Sequence, residues 1–202
     1  MGWGNSLKNH CHGVVVCLIM NSVKVVSVVG MTGAGKSEVS RVFEQNGFSL
    51  IRFGDLTDKE VKRRGLKPSE ASERQVREAL RREQGAAAYA ELNLPRIEQA
   101  LKNSNVVIDG LYSWEEYTCL KSCYGEGLYL VAVWSSPKTR YNRLASRTSR
   151  RLTPEEAASR DVAEIENIAK GGPIAMADFT ILNESSLEEL KKEAARIAAR
   201  LR

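Results

Sequence analysis

Gly30-Met31-Thr32-Gly33-Ala34-Gly35-Lys36-Ser37 is the stretch from which the rest of this chain is read. It satisfies the spacing G-x-x-x-x-G-K-[ST] at every position. An apolar, β-branched run from Val23 to Val29 precedes it, and a helix-permissive stretch from Glu38 to Gln45 follows. Glycines allow the backbone to curl until successive N–H groups point into one concave nest. The helix that starts there adds its positive end to the nest. Lys36 has the reach to meet the β- and γ-phosphates of a nucleotide, and Ser37 offers a hydroxyl to Mg²⁺. A Gly-rich turn alone needs neither Lys nor Ser at these positions, so the loop reads as a phosphate cradle.

Outward from the loop, strand signals alternate with helical ones, the pattern of an α/β domain. Glu38 to Asn46 reads as a helix stopped by Gly47, and Phe48 to Phe53 as a second strand ended by Gly54-Asp55. Residues 56–102 are charged and mostly helical, punctuated by Gly65, Pro68, Gly85 and Pro95. That length exceeds a single crossover and predicts several helices, an acceptor-binding or substrate-covering region. Asn105 to Ile108 is a short buried strand ended by Asp109-Gly110. Leu128 to Trp134 is apolar almost throughout, as a parallel strand covered on both faces should be. Ser136-Pro137 opens a basic helix that runs toward Arg147. Thr153-Pro154-Glu155-Glu156 opens another, with Thr153 as cap, Pro154 at the first position and Glu156 completing a capping box. This second helix is expected to reach about Ala169 and to stop at Gly171-Gly172-Pro173. Phe179 to Leu182 is the last strand and Ser186 to Leu201 the last helix.

At 202 residues and 43% hydrophobic content the chain can bury one sizeable core. Residues 21–202 form one domain in this reading, and residues 1–20 an N-terminal extension, with Met20 an alternative start. The apolar run Gly13 to Met20 is too short to span a bilayer. With no other long apolar segment, the chain reads as cytoplasmic and without a membrane partner. A net charge of +5 suits a polyanionic ligand. No basic run alternates with aromatics, which argues against a nucleic-acid partner. Cys119 and Cys123 lie four apart without a nearby His or second Cys pair, so these and Cys11 and Cys17 read as thiols of a reducing compartment.

Three constellations beyond the loop carry chemistry. Asp109 closes a buried strand and so faces the crevice where open α/β sheets bind ligands; there it can help hold Mg²⁺. Asp55 ends the second strand in the same way and can orient an attacking hydroxyl or accept its proton, although Asp is equally suited to cap a helix. Arg140, Arg143 and Arg147 recur at helical spacing and are expected on one face, with Arg150, Arg151 and Arg160 following. Guanidinium groups fork onto phosphate oxygens and neutralise a transferring phosphoryl group, so residues 140–170 read as an arginine lid.

The loop, Asp55, Asp109-Gly110, Ser136-Pro137-Lys138-Thr139-Arg140 and Ala177-Asp178-Phe179-Thr180-Ile181-Leu182-Asn183-Glu184 fall in the order found in P-loop small-molecule kinases. From about residue 23 onward the chain resembles the dephospho-coenzyme A kinase-like, adenylate-kinase-related proteins of archaea. The resemblance implies a P-loop NTPase fold with a five-stranded parallel sheet, order 2-3-1-4-5, and helices on both faces. It also implies that Asp55 is the acceptor-side aspartate, that Arg143 lies beside the adenine, that Arg147 belongs to the lid, and that Asn183 falls in the loop holding the base. The chain departs from true dephospho-coenzyme A kinases at Asp109-Gly110-Leu111 and lacks the long zinc-binding or large lid of many adenylate kinases.

The expected activity is therefore ATP- and Mg²⁺-dependent phosphoryl transfer to a small, nucleotide-like acceptor. Lys36, Asp55 and Arg147 would be catalytic, and Ser37 and Asp109 would hold the metal. Two other readings are an ATP-gated regulatory protein with little or no turnover and a nucleic-acid module built on the arginine cluster. A guanine-nucleotide switch is disfavoured, because no Asn/Thr-Lys-x-Asp motif follows the loop.

Overall fold

The computed structural model describes residues 24–202. The extension, Met20, Cys11, Cys17 and the apolar run before Met20 lie outside the described residues.

β1 (Val25–Val29) is buried along its whole length, because a central parallel strand meets helices on both faces. It pairs in parallel with β3 (Val106–Asp109) on one side and β4 (Leu128–Trp134) on the other. β2 (Ser49–Arg52) adds to β3 and β5 (Phe179–Leu182) adds to β4, so the order is β2-β3-β1-β4-β5. This is the five-stranded parallel sheet expected from the resemblance. All five strands run the same way, so their carboxyl ends share one rim. Gly30, Gly54, Asp109, Ser135 and Asn183 all sit at or just beyond those ends.

One face of the sheet carries α4 (Ala88–Leu101) and α5 (Trp114–Tyr124), whose Tyr89, Ile97 and Leu120 pack on Ile51, Ile108 and Leu130. The other carries α1 (Lys36–Gln45) and α9 (Leu187–Arg200), whose Val39, Phe43, Ala194 and Ile197 pack on Val26, Val28 and Val131. Two charged helices, the nine-residue α2 (Asp55–Arg63) and the fifteen-residue α3 (Glu70–Gln84), follow β2. α6 (Pro137–Ala145) follows β4, and α7 (Pro154–Ile168) folds back beside it. The capping box at the start of α7 forms as expected: Thr153 accepts from the Glu156 N–H, and Glu156 accepts from the Thr153 N–H at 2.7 Å.

Two expectations, on Pro95 and on Arg147, are corrected. Pro95 does not break a helix but lies inside α4. α7 stops at Ile168 with Ala169 as its C-cap, as expected, and Gly171-Gly172-Pro173 opens the separate five-residue α8 (Gly171–Ala175). α6 ends at Ala145 with Ser146 as its C-cap, so Arg147 lies past the helix and does not share a helical face with Arg140 and Arg143. No described helix is long and apolar enough to cross a membrane.

Candidate active site

The phosphate loop is held open by its glycines. Gly30, Gly33 and Gly35 have φ of 143°, 85° and 104°, a region that side chains disfavour. A Cβ on Gly30 would stand 2.3 Å from the Val133 carbonyl oxygen, and one on Gly35 would stand 2.5 Å from Asn183 Nδ2. Gly35 is also the N-cap of α1, and no side chain caps that helix. Its first N–H groups are thus left for an anion.

Lys36 rests its Nζ on the Met31 carbonyl oxygen at 3.1 Å, within the loop itself. Part of the residue still meets solvent, but burial of the ammonium, with Lys170 nearby, lowers its pKa to about 7 against the pull of Glu164 and Asp109. A phosphate placed there would restore the charge. Ser37 donates to Asp109 Oδ2 at 2.9 Å, so the start of α1 and the end of β3 meet. One hydroxyl and one carboxylate fit Mg²⁺, a hard cation that takes its remaining ligands from phosphate and water. No group of three or more His, Cys, Asp or Glu that could hold a metal ion occurs among the described residues.

Beyond the loop, Asn183 donates to the Ala34 carbonyl at 2.8 Å and its own carbonyl accepts from Ser135 Oγ at 2.7 Å. Arg143 closes this corner, donating to Ser135 Oγ at 2.9 Å and to the Asn183 carbonyl at 3.0 Å. Arg143 and Asn183 are thereby brought together against the loop.

Arg140 is not a phosphate ligand of the kind its spacing suggested. Its guanidinium is buried, forked onto Asp161 at 2.9 and 2.6 Å, and also donates to the carbonyls of Ser135 and Thr32. It bolts α6 to α7 and to the loop. Asp55 is not brought to the cleft. It opens α2 and turns its carboxylate to Arg96 at 3.0 Å and Arg52 at 3.6 Å. Asp58, one turn later, lines the cleft in its place.

That cleft encloses about 130 Å³ between the loop, α2, α3 and the segment bearing Arg147, Arg150 and Arg160. Thr32 and Tyr112 form its floor; Arg77, Arg147, Arg150 and Arg160 converge on it with Glu70 and Glu73. Arg150 pairs with Glu73 at 2.7 Å and Asp58 at 3.4 Å, Arg77 with Glu70 at 2.7 Å, and Arg160 with Glu70 at 3.2 Å. The basic residues are thus mostly matched by carboxylates. Arg147 alone among these four makes no hydrogen bond or ion pair with a described residue. Partial burial, with Arg160 and Arg150 beside it, lowers its pKa, the direction of a cation that lacks an anion.

A protein of Thermococcus sibiricus is 35% identical over 182 residues, spanning 88% of this chain and 95% of that protein, and carries the name UPF0200 protein. One of Aeropyrum pernix with the same name is 36% identical over 176 residues, spanning 86% and 91%. The chain belongs to the UPF0200 family. The AAA domain family profile also matches it, over residues 26–166. Among solved structures, a gluconokinase from Sinorhizobium meliloti is similar with a TM-score of 0.54 at 20% identity, covering 89% of this chain and 93% of that one. Shikimate kinase from Bacteroides thetaiotaomicron is similar with a TM-score of 0.58 at 15% identity, covering 88% and 98%. At these identities the likeness is one of fold, a P-loop kinase-like fold. The relatives above carry the UPF0200 name and not that of a dephospho-coenzyme A kinase, so the resemblance read from the sequence stands at that coarser level.

For this UPF0200 chain, the sequence placed Arg160 but not the cluster that Glu164, one turn on, gathers around it. Glu164 accepts from Thr32 Oγ1 at 2.9 Å, from Arg160 at 3.1 Å and from Lys170 at 2.6 Å. Lys170 is only 1% exposed. Arg160 and Glu164 carried a signal, an i,i+4 pair on one helix face. Lys170 carried none, since a Lys before Gly-Gly-Pro reads as a loop residue in water.

Proposed function

We propose that this protein is an ATP-dependent phosphotransferase acting on a small, anionic, nucleotide-like acceptor. The observation that carries the reading is the arginine-lined cleft whose floor includes Thr32 of the phosphate loop, with Arg147 lacking a counter-ion there. Fold likeness to proteins titled gluconokinase and shikimate kinase supports phosphoryl transfer to a small molecule.

In this reading the loop N–H groups and Lys36 bind the β- and γ-phosphates. Ser37 and Asp109 would hold Mg²⁺, which would offset the negative charge of the phosphates. The acceptor lies in the cleft, oriented by Asp58 and the arginines. Its oxygen bonds to the γ-phosphorus while the bond to the β–γ bridging oxygen breaks. ADP leaves with that electron pair, and the acceptor's proton, where it carries one, passes to solvent or to Asp58. Arg147 neutralises the moving phosphoryl group. Arg143 and Asn183 shape the side of the loop toward the base.

An ATP-gated binding protein is the second reading. The ion pairs already satisfying Arg77, Arg150 and Arg160 favour it, because a self-paired cleft must be opened before an acceptor enters. An ADP-release screen with ATP and Mg²⁺ over nucleoside monophosphates, dephospho-coenzyme A and nucleosides decides between them. Release that depends on one acceptor class supports the kinase. ATP binding with no acceptor-dependent release supports the second reading.

A further inference from the structure

Glu164 and Lys170 are placed with unusual care for a salt bridge. Ala169 precedes Lys170 with φ of 46°, a left-handed conformation that costs an L-residue about 1 kcal/mol. The turn is fixed by the Lys170 N–H, which donates to the Glu164 carbonyl at 3.2 Å. It drives the lysine inward, where its Nζ lies 5.2 Å from the centre of the Tyr112 ring, on the floor of the cleft. A buried ion pair adds little stability over apolar residues of the same shape, so stability alone gives no reason for this arrangement.

The geometry around Glu164 is that of a bound anion. Its carboxylate receives a loop hydroxyl from Thr32, a guanidinium N–H from Arg160 and an ammonium from Lys170. Lys36, the lysine of the phosphate loop, is close enough to be felt electrostatically by the same carboxylate. Burial alone would raise the pKa of Glu164; Lys170 and Arg160 outweigh it and hold the group at about 2, fully ionised. Hydroxyl, guanidinium and ammonium around one oxyanion are also the partners a terminal phosphate takes.

We propose that Glu164 is a built-in surrogate for the terminal phosphate of the nucleotide, and that Lys170 is a positioning residue which passes from Glu164 to that phosphate on binding. The proposal rests on the nucleotide reading of the loop and adds a device to it. In the ligand-free protein the carboxylate keeps Thr32, Arg160 and Lys170 gathered and charge-balanced. A triphosphate must compete with Glu164 for Arg160 and Lys170, whereas a diphosphate, which ends short of this cluster, does not. Glu164 thus sets the affinity for ATP without setting that for ADP.

The test is calorimetric titration of the full chain with ATP and with ADP, both with Mg²⁺, in three forms. Glu164→Gln keeps shape and removes the competing charge. ATP should bind about tenfold tighter and ADP within about twofold, since one charge-assisted contact is worth about 1.4 kcal/mol or more. The double variant E164Q/K170M removes both charges, so it folds without a stranded ion; there the ATP-over-ADP preference should fall about tenfold below that of Glu164→Gln alone. A purely structural pair would alter thermal stability and leave that preference unmoved. If Glu164→Gln leaves ATP affinity unchanged or weakens it, while both nucleotides still bind the natural chain, the surrogate is refuted and the phosphate-loop reading stands. If neither nucleotide binds the natural chain, both are refuted.

Discussion

Asp161→Ala should be among the most damaging single substitutions in this protein, and its cost can be worked from the contacts. The change removes two N–H···O bonds from Arg140, at 2.9 and 2.6 Å, and a third bond from the Tyr141 hydroxyl at 3.0 Å. Arg140 is 4% exposed and would keep only the carbonyls of Ser135 and Thr32. Breaking a buried pair from one side costs about 3–5 kcal/mol, because the surviving charge stays out of water. In a domain of this size each kcal/mol moves the unfolding midpoint by about 2–4 °C, so the fall should be about 6–20 °C. The double variant R140M/D161A removes both charges and should recover most of the loss. Scanning calorimetry with denaturant titration of single and double variants measures both quantities. A single-variant loss below about 1 kcal/mol, or a double variant no better than the single, would refute the buried-pair argument. Arg140 would then again be available to a phosphate.

Lys36→Ala should abolish ATP turnover with a stability change of only about 1 kcal/mol, since it loses one loop hydrogen bond; full turnover in the folded variant would remove the phosphate cradle. Ser37→Ala should raise the Mg²⁺ concentration needed for half-maximal turnover, and undiminished activity in excess chelator would contradict a metal at Ser37 and Asp109. Arg147→Ala should lower kcat on the order of 10³-fold with little change in ATP affinity, because a lid arginine meets its charge in the reacting complex. Single-turnover rates that do not change would leave Arg147 a solvated side chain. The pH dependence has a definite sign. Lys36 has a folded pKa of about 7 against an ordinary 10.5, so between these values the ligand-free folded protein binds fewer protons than the unfolded chain, and this group's contribution to stability grows as pH rises from 7. A bound phosphate favours the charged form, so ATP binding above pH 7 should take up a proton and weaken as pH rises. Binding heats that are the same in buffers of different ionisation enthalpy at about pH 8 would show that Lys36 stays charged.

Much of the scaffold was legible because it rests on local rules. The octapeptide, the apolar run Leu128 to Trp134 and the Thr153/Glu156 box each bind their geometry to a few neighbouring residues. α5 escaped notice because it lacks a clear apolar stripe. Its Glu116 is fully buried, held by Arg81 and by the Tyr112 N–H, so a charge lies where a pattern reader expects a hydrophobe. The arginines show the same limit. Periodicity put Arg140 on a face with Arg143, but Asp161, 21 positions away, decides whether that face is wet. Asp55 was read from strand ends, and Arg96, 41 positions on, turns it aside. Long-range pairing of charges leaves no trace in spacing, and most of what was misplaced at the site is of this kind.

The bond between Asn183 and the carbonyl of Ala34 joins positions 149 residues apart. On a ribosome adding about 5–20 residues each second, the loop is made roughly 7–30 s before its partner exists. Through that interval the nascent chain carries the whole octapeptide but neither β5, which bears Asn183 at its end, nor α9, which packs on α1. Newly made protein should therefore acquire its affinity for nucleotide late and all at once, only after residues 179–200 have been made.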